Sequence, residues 1–355
     1  MVEALDLPTT RGENWRWADM PALQAARALR GEADLPDRLL KGAARLVFVD
    51  GQLAEHLSDV DALDITRTTL ASDHPLAAHA NGDAVALALA AQSVTALEVV
   101  RLTTGEGHAP LAITLAADAV LTLVETFAGA GWSNALTRFD LATGARAMRA
   151  VRVVQEAGFV STRDEVRVGE AASFVSTALA ATGAGVRFDA MLTLDGDGAF
   201  AEFGGALLTR EDQRQECAVR VRHARPNGQS HQLWRAVAAD RSTASLAAAV
   251  EVARDAQKTD GEQSLRGLLL QRTATVNLKP ELEIFADDVK CAHGATVGEL
   301  DRRALFYMES RGIPAPRAKA LLTRAFVADA LGRIADESVR EQFEAAADAW
   351  LEQTL

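Results

Sequence analysis

Cysteine is scarce: Cys217 and Cys291 are the only two in 355 residues. So low a count, with the pair far apart, fits a reducing compartment better than a disulfide-stapled secreted fold, and the expected location is the cytoplasm. Positive charge is also short, with 37 Lys and Arg against 49 Asp and Glu and a net charge of −12. Such a surface repels phosphate backbones and anionic headgroups, which argues against a general nucleic-acid role. Long apolar runs are missing. The longest, Ala84–Ala91, falls far short of the ~18 residues a membrane span needs. Met1–Asp6 lacks the basic and apolar regions of a signal peptide, so no membrane association is expected.

Familiar catalytic motifs are absent as well. Gly129-Ala130-Gly131 and Gly204-Gly205 lack the Lys-Ser/Thr ending of a phosphate loop and the strand-to-helix context of a dinucleotide turn. No Gly-x-Ser-x-Gly elbow occurs, and His56, His74, His79, His108, His223 and His231 show no metal-ligand spacing, so an ordinary hydrolase has little support.

What is present is 48% hydrophobic and 24% charged residues, enough for one large core or several smaller ones. Residues 1–82 read as a mixed N-terminal cap. Pro21–Arg30 predicts a short helix and Arg45–Asp50 a strand ended by Gly51. From 83 to 298 apolar and polar residues alternate. Val186, Phe188, Ala190, Leu192 and Leu194 form one row, and Arg187, Asp189, Met191 and Thr193 a largely polar row opposite. Similar segments recur every ~10 to 14 residues, which suits a sandwich, a barrel or a coiled β-solenoid. No exact repeat selects among them. Asp195-Gly196-Asp197-Gly198 and Asn227-Gly228 are the clearest hairpin signals. A solenoid of two strands per coil would have ~24 residues per coil and ~8 coils.

Residues 299–355 read as a helical domain of at least three helices, the first stopped by Gly312 and followed by Pro314 and Pro316. Leu322, Phe326, Ala330 and Ile334 form one apolar stripe and Phe343, Ala347, Trp350 and Leu351 another, behind a capping box at Ser338-x-x-Glu341.

The segment Asn277–Gly298 is the richest in chemistry. On a strand, Glu281 and Glu283 share one face and Leu282 and Ile284 the other, while Cys291 and His293 share a face of their own. A thiolate beside an imidazole suits zinc, copper or an iron–sulfur cluster, and Lys290 would lower the thiol pKa if the two side chains turned toward each other. Two ligands leave a tetrahedral site half complete, so the others must come from a second subunit, or the binding is transient. The plainer reading makes Cys291 a small buried hydrophobe and His293 a loop histidine with satisfied hydrogen bonds.

Ala256-Gln257-Lys258-Thr259-Asp260, Gly267–Leu270, Lys279–Ile284, Ala286–Gly298, Leu305-Phe306-Tyr307 and Ser310-Arg311-Gly312-Ile313 together resemble the SufB/SufD family of the Suf iron–sulfur cluster assembly scaffold. They are more similar to its SufD branch, since SufB is usually longer and carries a His-Glu-Ala-Thr-like stretch where this chain has Cys291–Gly298. A weaker likeness covers Arg220–Val237 and Glu13–Trp17.

The resemblance implies a mainly β fold: a right-handed parallel β-helix core, an N-terminal mixed region and a C-terminal helical domain. It implies a non-catalytic scaffold that pairs with SufB through the β-helices and docks the SufC ATPase through the helical domain. In that domain Leu305, Phe306, Arg311, Leu322 and Phe326 are the expected contact residues. SufC dimerisation would then pull the shared interface open for iron and sulfur. His293 would help to assemble a transient iron–sulfur cluster shared with SufB, with Cys291 nearby as a further contributor and no cofactor held tightly by the isolated chain. The same exposed edge would let the isolated chain form a homodimer. The competing reading is a stand-alone metalloenzyme in which Cys291, His293 and carboxylates such as Asp287 hold a catalytic metal.

Overall fold

The computed structural model describes Leu5 and residues 7–61 and 63–355. Leu5 apart, the leader reading at Met1–Asp6 lies outside the described residues. No helix among them is long and apolar enough to cross a membrane.

From Gly82 onward successive strands alternate between two sheets, and each pairs in parallel with a strand one coil away. The first sheet stacks Ala44–Val49, Val94–Thr103, the first half of Val120–Leu141, Arg146–Val153, Ser173–Ala181, Phe200–Thr209, Gln229–Ala238, Asp260–Leu269 and Lys290–Glu299. The second stacks Gly82–Leu89, Glu106–Leu115, the second half of Val120–Leu141, Ala157–Val168, Gly185–Leu194, Arg214–His223, Thr243–Val252 and Thr275–Ile284. This is a β-solenoid of about eight coils, which resolves the choice left open by strand spacing.

The coils are longer than ~24 residues. Paired positions Val124 and Ala150 stand 26 apart, Ala150 and Thr177 27, and Trp234 and Leu265 31. Each coil turns through a residue of positive φ two positions before a first-sheet strand: Gln92, Asp118, Gly144, Ala171, Gly198, Asn227 and Lys258. Their backbone N–H groups donate one coil onward, Gln92 to Ala117 O, Asp118 to Thr143 O and so on to Lys258 with Asp288 O. The expected hairpins at Asp195–Gly198 and Asn227-Gly228 are therefore corners between parallel sheets. Gly, Asn and Asp favour left-handed backbone in both settings. Gly129 and Gly131 form the bend that carries one 22-residue strand from sheet to sheet. A Cβ on Gly131 would stand 1.8 Å from Gly105 O.

The inward rows of both sheets fill the bore, with Val186, Phe188, Ala190, Leu192 and Leu194 among them. Near the N-terminal end the bore also holds an ion network, in which Arg101 and Arg149 both donate to Glu125 and Arg149 donates to Asp164 at 2.6 Å. The polar row at Arg187 and Asp189, on the face opposite the apolar one, is buried. The N-terminal segment covers it, with the Arg187 guanidinium 3.9 Å from the Trp15 ring centroid. Arg187 pairs with Asp189 at 2.6 Å and Glu216 at 2.8 Å.

Helix α1 (Met20–Ala26) packs beside Trp132 and Phe159 of the second sheet. After the last strand come α2 (Arg302–Ser310), α3 (Ala315–Leu331) and α4 (Glu337–Thr354). Val327 and Leu331 of α3 and Phe343, Trp350 and Leu351 of α4 join Val124, Ala206, Leu208 and Val237 on the outer face of the first sheet. The cap of α4 is Asp336, whose carboxylate accepts from Val339 N at 3.0 Å, and Ser338 sits inside the helix, where it bonds to Asp336. The N-cap thus lies two residues upstream of Ser338 and no capping box forms, because the residue three positions after Asp336 is Val339.

Candidate functional site at the open end of the solenoid

The two ends of the solenoid differ. At the N-terminal end Gln52–Leu53 pairs antiparallel with Ala44–Val49, and Ile65–Leu70 pairs antiparallel with Gly82–Leu89. At the C-terminal end Thr275–Ile284 and Lys290–Glu299 each have a ladder partner on one side only among the described residues. Both edges are bare at one place, and Ile284, Phe285 and Val297 there are exposed. Exposed, unpaired, apolar edges are the feature that isolated β proteins suppress.

Cys291 and His293 lie on the strand Lys290–Glu299, in register with Gly261 and Gln263. Gln263 and the following alternate residue Leu265 are buried in the bore, so Cys291 and His293 belong to the inward row of a coil with nothing stacked on it. Cys291 is half-buried and His293 exposed. The sulfur of Cys291 rests against Gly261, where a Cβ would come within 3.4 Å of it. Burial pushes its thiol above the ordinary value, and Asp260 adds to the rise. The expected lowering by Lys290 does not occur, because adjacent residues of a strand point to opposite faces. Glu281 and Glu283 face outward, Glu281 3.1 Å from Lys279 and Glu283 3.5 Å from Arg220. Among the described residues no group of three or more His, Cys, Asp or Glu is placed to hold a metal ion, so Asp287 does not complete a site with Cys291 and His293. Cys217 is buried inside the bore, far from ionisation.

The helical candidates separate into two groups. Phe306 and Tyr307 are 73% and 60% exposed on α2, a helix without buried residues, and Arg311 stacks over Tyr307 at 5.3 Å. Leu305 and Leu322 are half-buried. Phe326 packs against the helix-to-sheet core, 6.0 Å below the Arg235 guanidinium. Tyr307 falls within a motif but was not singled out as a contact residue, and the glutamines beneath His293 were not singled out from the sequence. An alternation pattern gives the face of a residue but not its neighbour one coil away.

Among the described residues, then, the two-sheet solenoid is closed at one end by antiparallel strands and bare at the other, where Cys291 and His293 lie. Residues 102–326 match the model for the SUF system FeS cluster assembly SufBD core domain, and the chain belongs to that family. It is similar to the iron–sulfur cluster assembly protein SufD of Escherichia coli K12, with 28% identity over 369 aligned positions covering 95% of this chain and 87% of that protein. SufD of Bacillus subtilis 168 is 29% identical over 149 residues, 42% of this chain and 34% of that one. The chloroplastic protein ABCI7 of Arabidopsis thaliana is 41% identical over 118 residues, 33% of this chain and 25% of that one. The role of this chain lies in iron–sulfur cluster assembly.

Proposed function

We propose that the chain is a non-catalytic, cytoplasmic scaffold subunit that pairs with SufB through its open end and presents His293 to a nascent iron–sulfur cluster formed between the two. One observation carries the reading: among the described residues both sheets end unpaired at the same place, and the inward row of the last coil bears Cys291 and His293. A second β-helix continuing both sheets would satisfy the bare N–H and C=O groups and bring its own ligands to the two supplied here. Without SufB the same edges support a homodimer.

The chemistry ranks the two donors. A neutral imidazole binds iron without losing a proton, whereas Cys291 must ionise against the burial that raises its pKa. His293 is therefore the main ligand and Cys291 the accessory one. The cluster is the product of assembly and leaves, so the isolated chain holds no cofactor. The exposed aromatic surface of α2, Phe306 and Tyr307 with Arg311, is the docking face for the SufC ATPase. Leu305 lies beside it. ATP hydrolysis stays on SufC, and its movement reaches the solenoid through α3 and α4.

The test is His293→Ala in the complete complex. The expected outcome is intact co-purification of SufB and SufC with cluster formation reduced to background under anaerobic loading. Normal cluster yield from an intact complex would overturn the assignment. Stoichiometric metal in the isolated chain would favour the metalloenzyme instead.

A further inference from the structure

Beneath His293 the bore carries a column of side-chain amides. Pairing places Gln232 in line with Gln263, and Gln263 in line with His293, one coil apart each time. In-register parallel strands stack such positions ~4.8 Å apart, close enough for side chains to bond from coil to coil. Both glutamines are buried, each 1% exposed.

Neither amide bonds along the column. Gln263 Nε2 donates across the bore to Glu281 O at 3.3 Å, and Gln232 Nε2 donates to Ala249 O at 3.0 Å. A carbonyl can only accept, so these contacts fix which end of each amide is nitrogen. The oxygens, Gln263 Oε1 and Gln232 Oε1, are then left buried without a hydrogen-bond partner. Native interiors rarely leave a buried acceptor unused, and such a group calls for a donor. On the open side of Gln263 the stacked residue is His293, whose ring carries a donor. Cys291 is poorly placed to serve, because its sulfur rests on Gly261.

Resting on the reading of His293 as the cluster ligand, we infer that Gln263 is its positioning residue. The Gln263 amide oxygen accepts the Nδ1–H of the imidazole and turns the unprotonated Nε2 outward through the open end. Nδ1 is the ring nitrogen nearer the backbone, while Nε2 reaches furthest from it. A metal-binding imidazole commonly has its second nitrogen held in this way, and loss of the holding group costs about 10- to 100-fold in metal affinity. Gln263 is itself held by Glu281 O on the last strand of the second sheet, so one amide ties the direction of the ligand to both bare edges.

The experiment uses the full chain with ring-15N-labelled histidine, followed by long-range proton–nitrogen correlation at a pH where the ring is neutral. His293 is assigned by the signal lost in His293→Ala. The expected result is a dominant Nδ1–H tautomer in the parent chain that swings towards Nε2–H in Gln263→Met and Gln263→Leu, the other histidines staying unchanged. In the complete complex the same variants should lower cluster loading about 10-fold. Two variants are used so that one unfolded protein leaves the question decidable. An Nε2–H tautomer in the parent chain, or one tautomer unchanged across parent and both variants, would overturn the inference. Failure of the parent reading looks different, since His293→Ala would then leave cluster yield intact whatever the tautomer.

Discussion

Replacing Glu125 by glutamine tests the buried ion network directly. Glu125 accepts from Arg101 and from Arg149, which donates through Nε at 3.0 Å, and the Arg149 partner Asp164 lies on the opposite sheet. Two guanidiniums and two carboxylates sum to zero charge, and Glu125→Gln leaves one uncompensated cation inside the bore. Breaking a buried pair from one side costs about 3–5 kcal/mol. With about 2.1 cal/mol/K per residue, the 355 residues give an unfolding entropy of about 0.75 kcal/mol/K, so the melting temperature should fall by about 5 °C. Differential scanning calorimetry at pH 7 reads this, and a fall under about 1 °C would refute the reasoning. Acid titration supplies an independent check. Burial alone would raise the Glu125 pKa, but Arg149 and Arg101 overcome it and bring it down to about 2. A carboxylate depressed on folding stabilises fully above its ordinary value near 4.5, and that stability is lost as the pH falls from there towards 2. Glu125→Gln should lack that component of the acid loss. Converting Arg101, Glu125, Arg149 and Asp164 together to leucine should recover most of the stability.

Glu216 carries the opposite sign: burial raises its pKa to about 7 against the pull of Arg187, which is shared with Asp189. Its stabilisation is full below its ordinary value and is lost as the pH rises through 7, by up to about 3 kcal/mol. Glu216→Gln should therefore flatten the urea midpoint between pH 4.5 and 7, and an unchanged slope would count against it. Val297→Lys on the bare edge should abolish capture of the partner β-helix in size-exclusion chromatography while moving the stability of the isolated chain by no more than about 0.5 kcal/mol; retained pairing would place the interface elsewhere. Phe306→Ala with Tyr307→Ala should weaken ATPase docking by at least about 10-fold in isothermal titration with the circular dichroism unchanged, and full affinity would remove α2 from the docking face.

Much of the architecture was legible because each strand must bury one row. The alternation from Val186 to Leu194 and the stripe at Phe343, Ala347, Trp350 and Leu351 both lie in cores. Coil length and corner geometry were not legible. The corners are occupied by Gln92, Asp118, Gly144, Ala171, Gly198, Asn227 and Lys258, unlike residues that share a left-handed backbone, and side-chain identity carries no repeat there. The burial of Arg187 and Asp189 was not legible, because the segment that covers them, around Trp15, comes from far away in the chain. At the candidate site the sequence placed Cys291 and His293 on one face. The glutamine beneath His293 became visible only with the register, since Gln263 and His293 are 30 residues apart in a coil of irregular length.

The coils lengthen along the solenoid, from 26 residues between Val124 and Ala150 to 31 between Trp234 and Leu265. The added residues lie in the corners, since Val94–Thr103 near one end and Asp260–Leu269 near the other are strands of the same length. The asymmetry that bears on assembly is at the ends, one sealed by antiparallel strands and the other bare among the described residues. A bare end set against a sealed one would find no open ladder to continue, whereas two bare ends would complete each other. An adhesive edge that could seed an unlimited fibre would in that way be exhausted after a single partner.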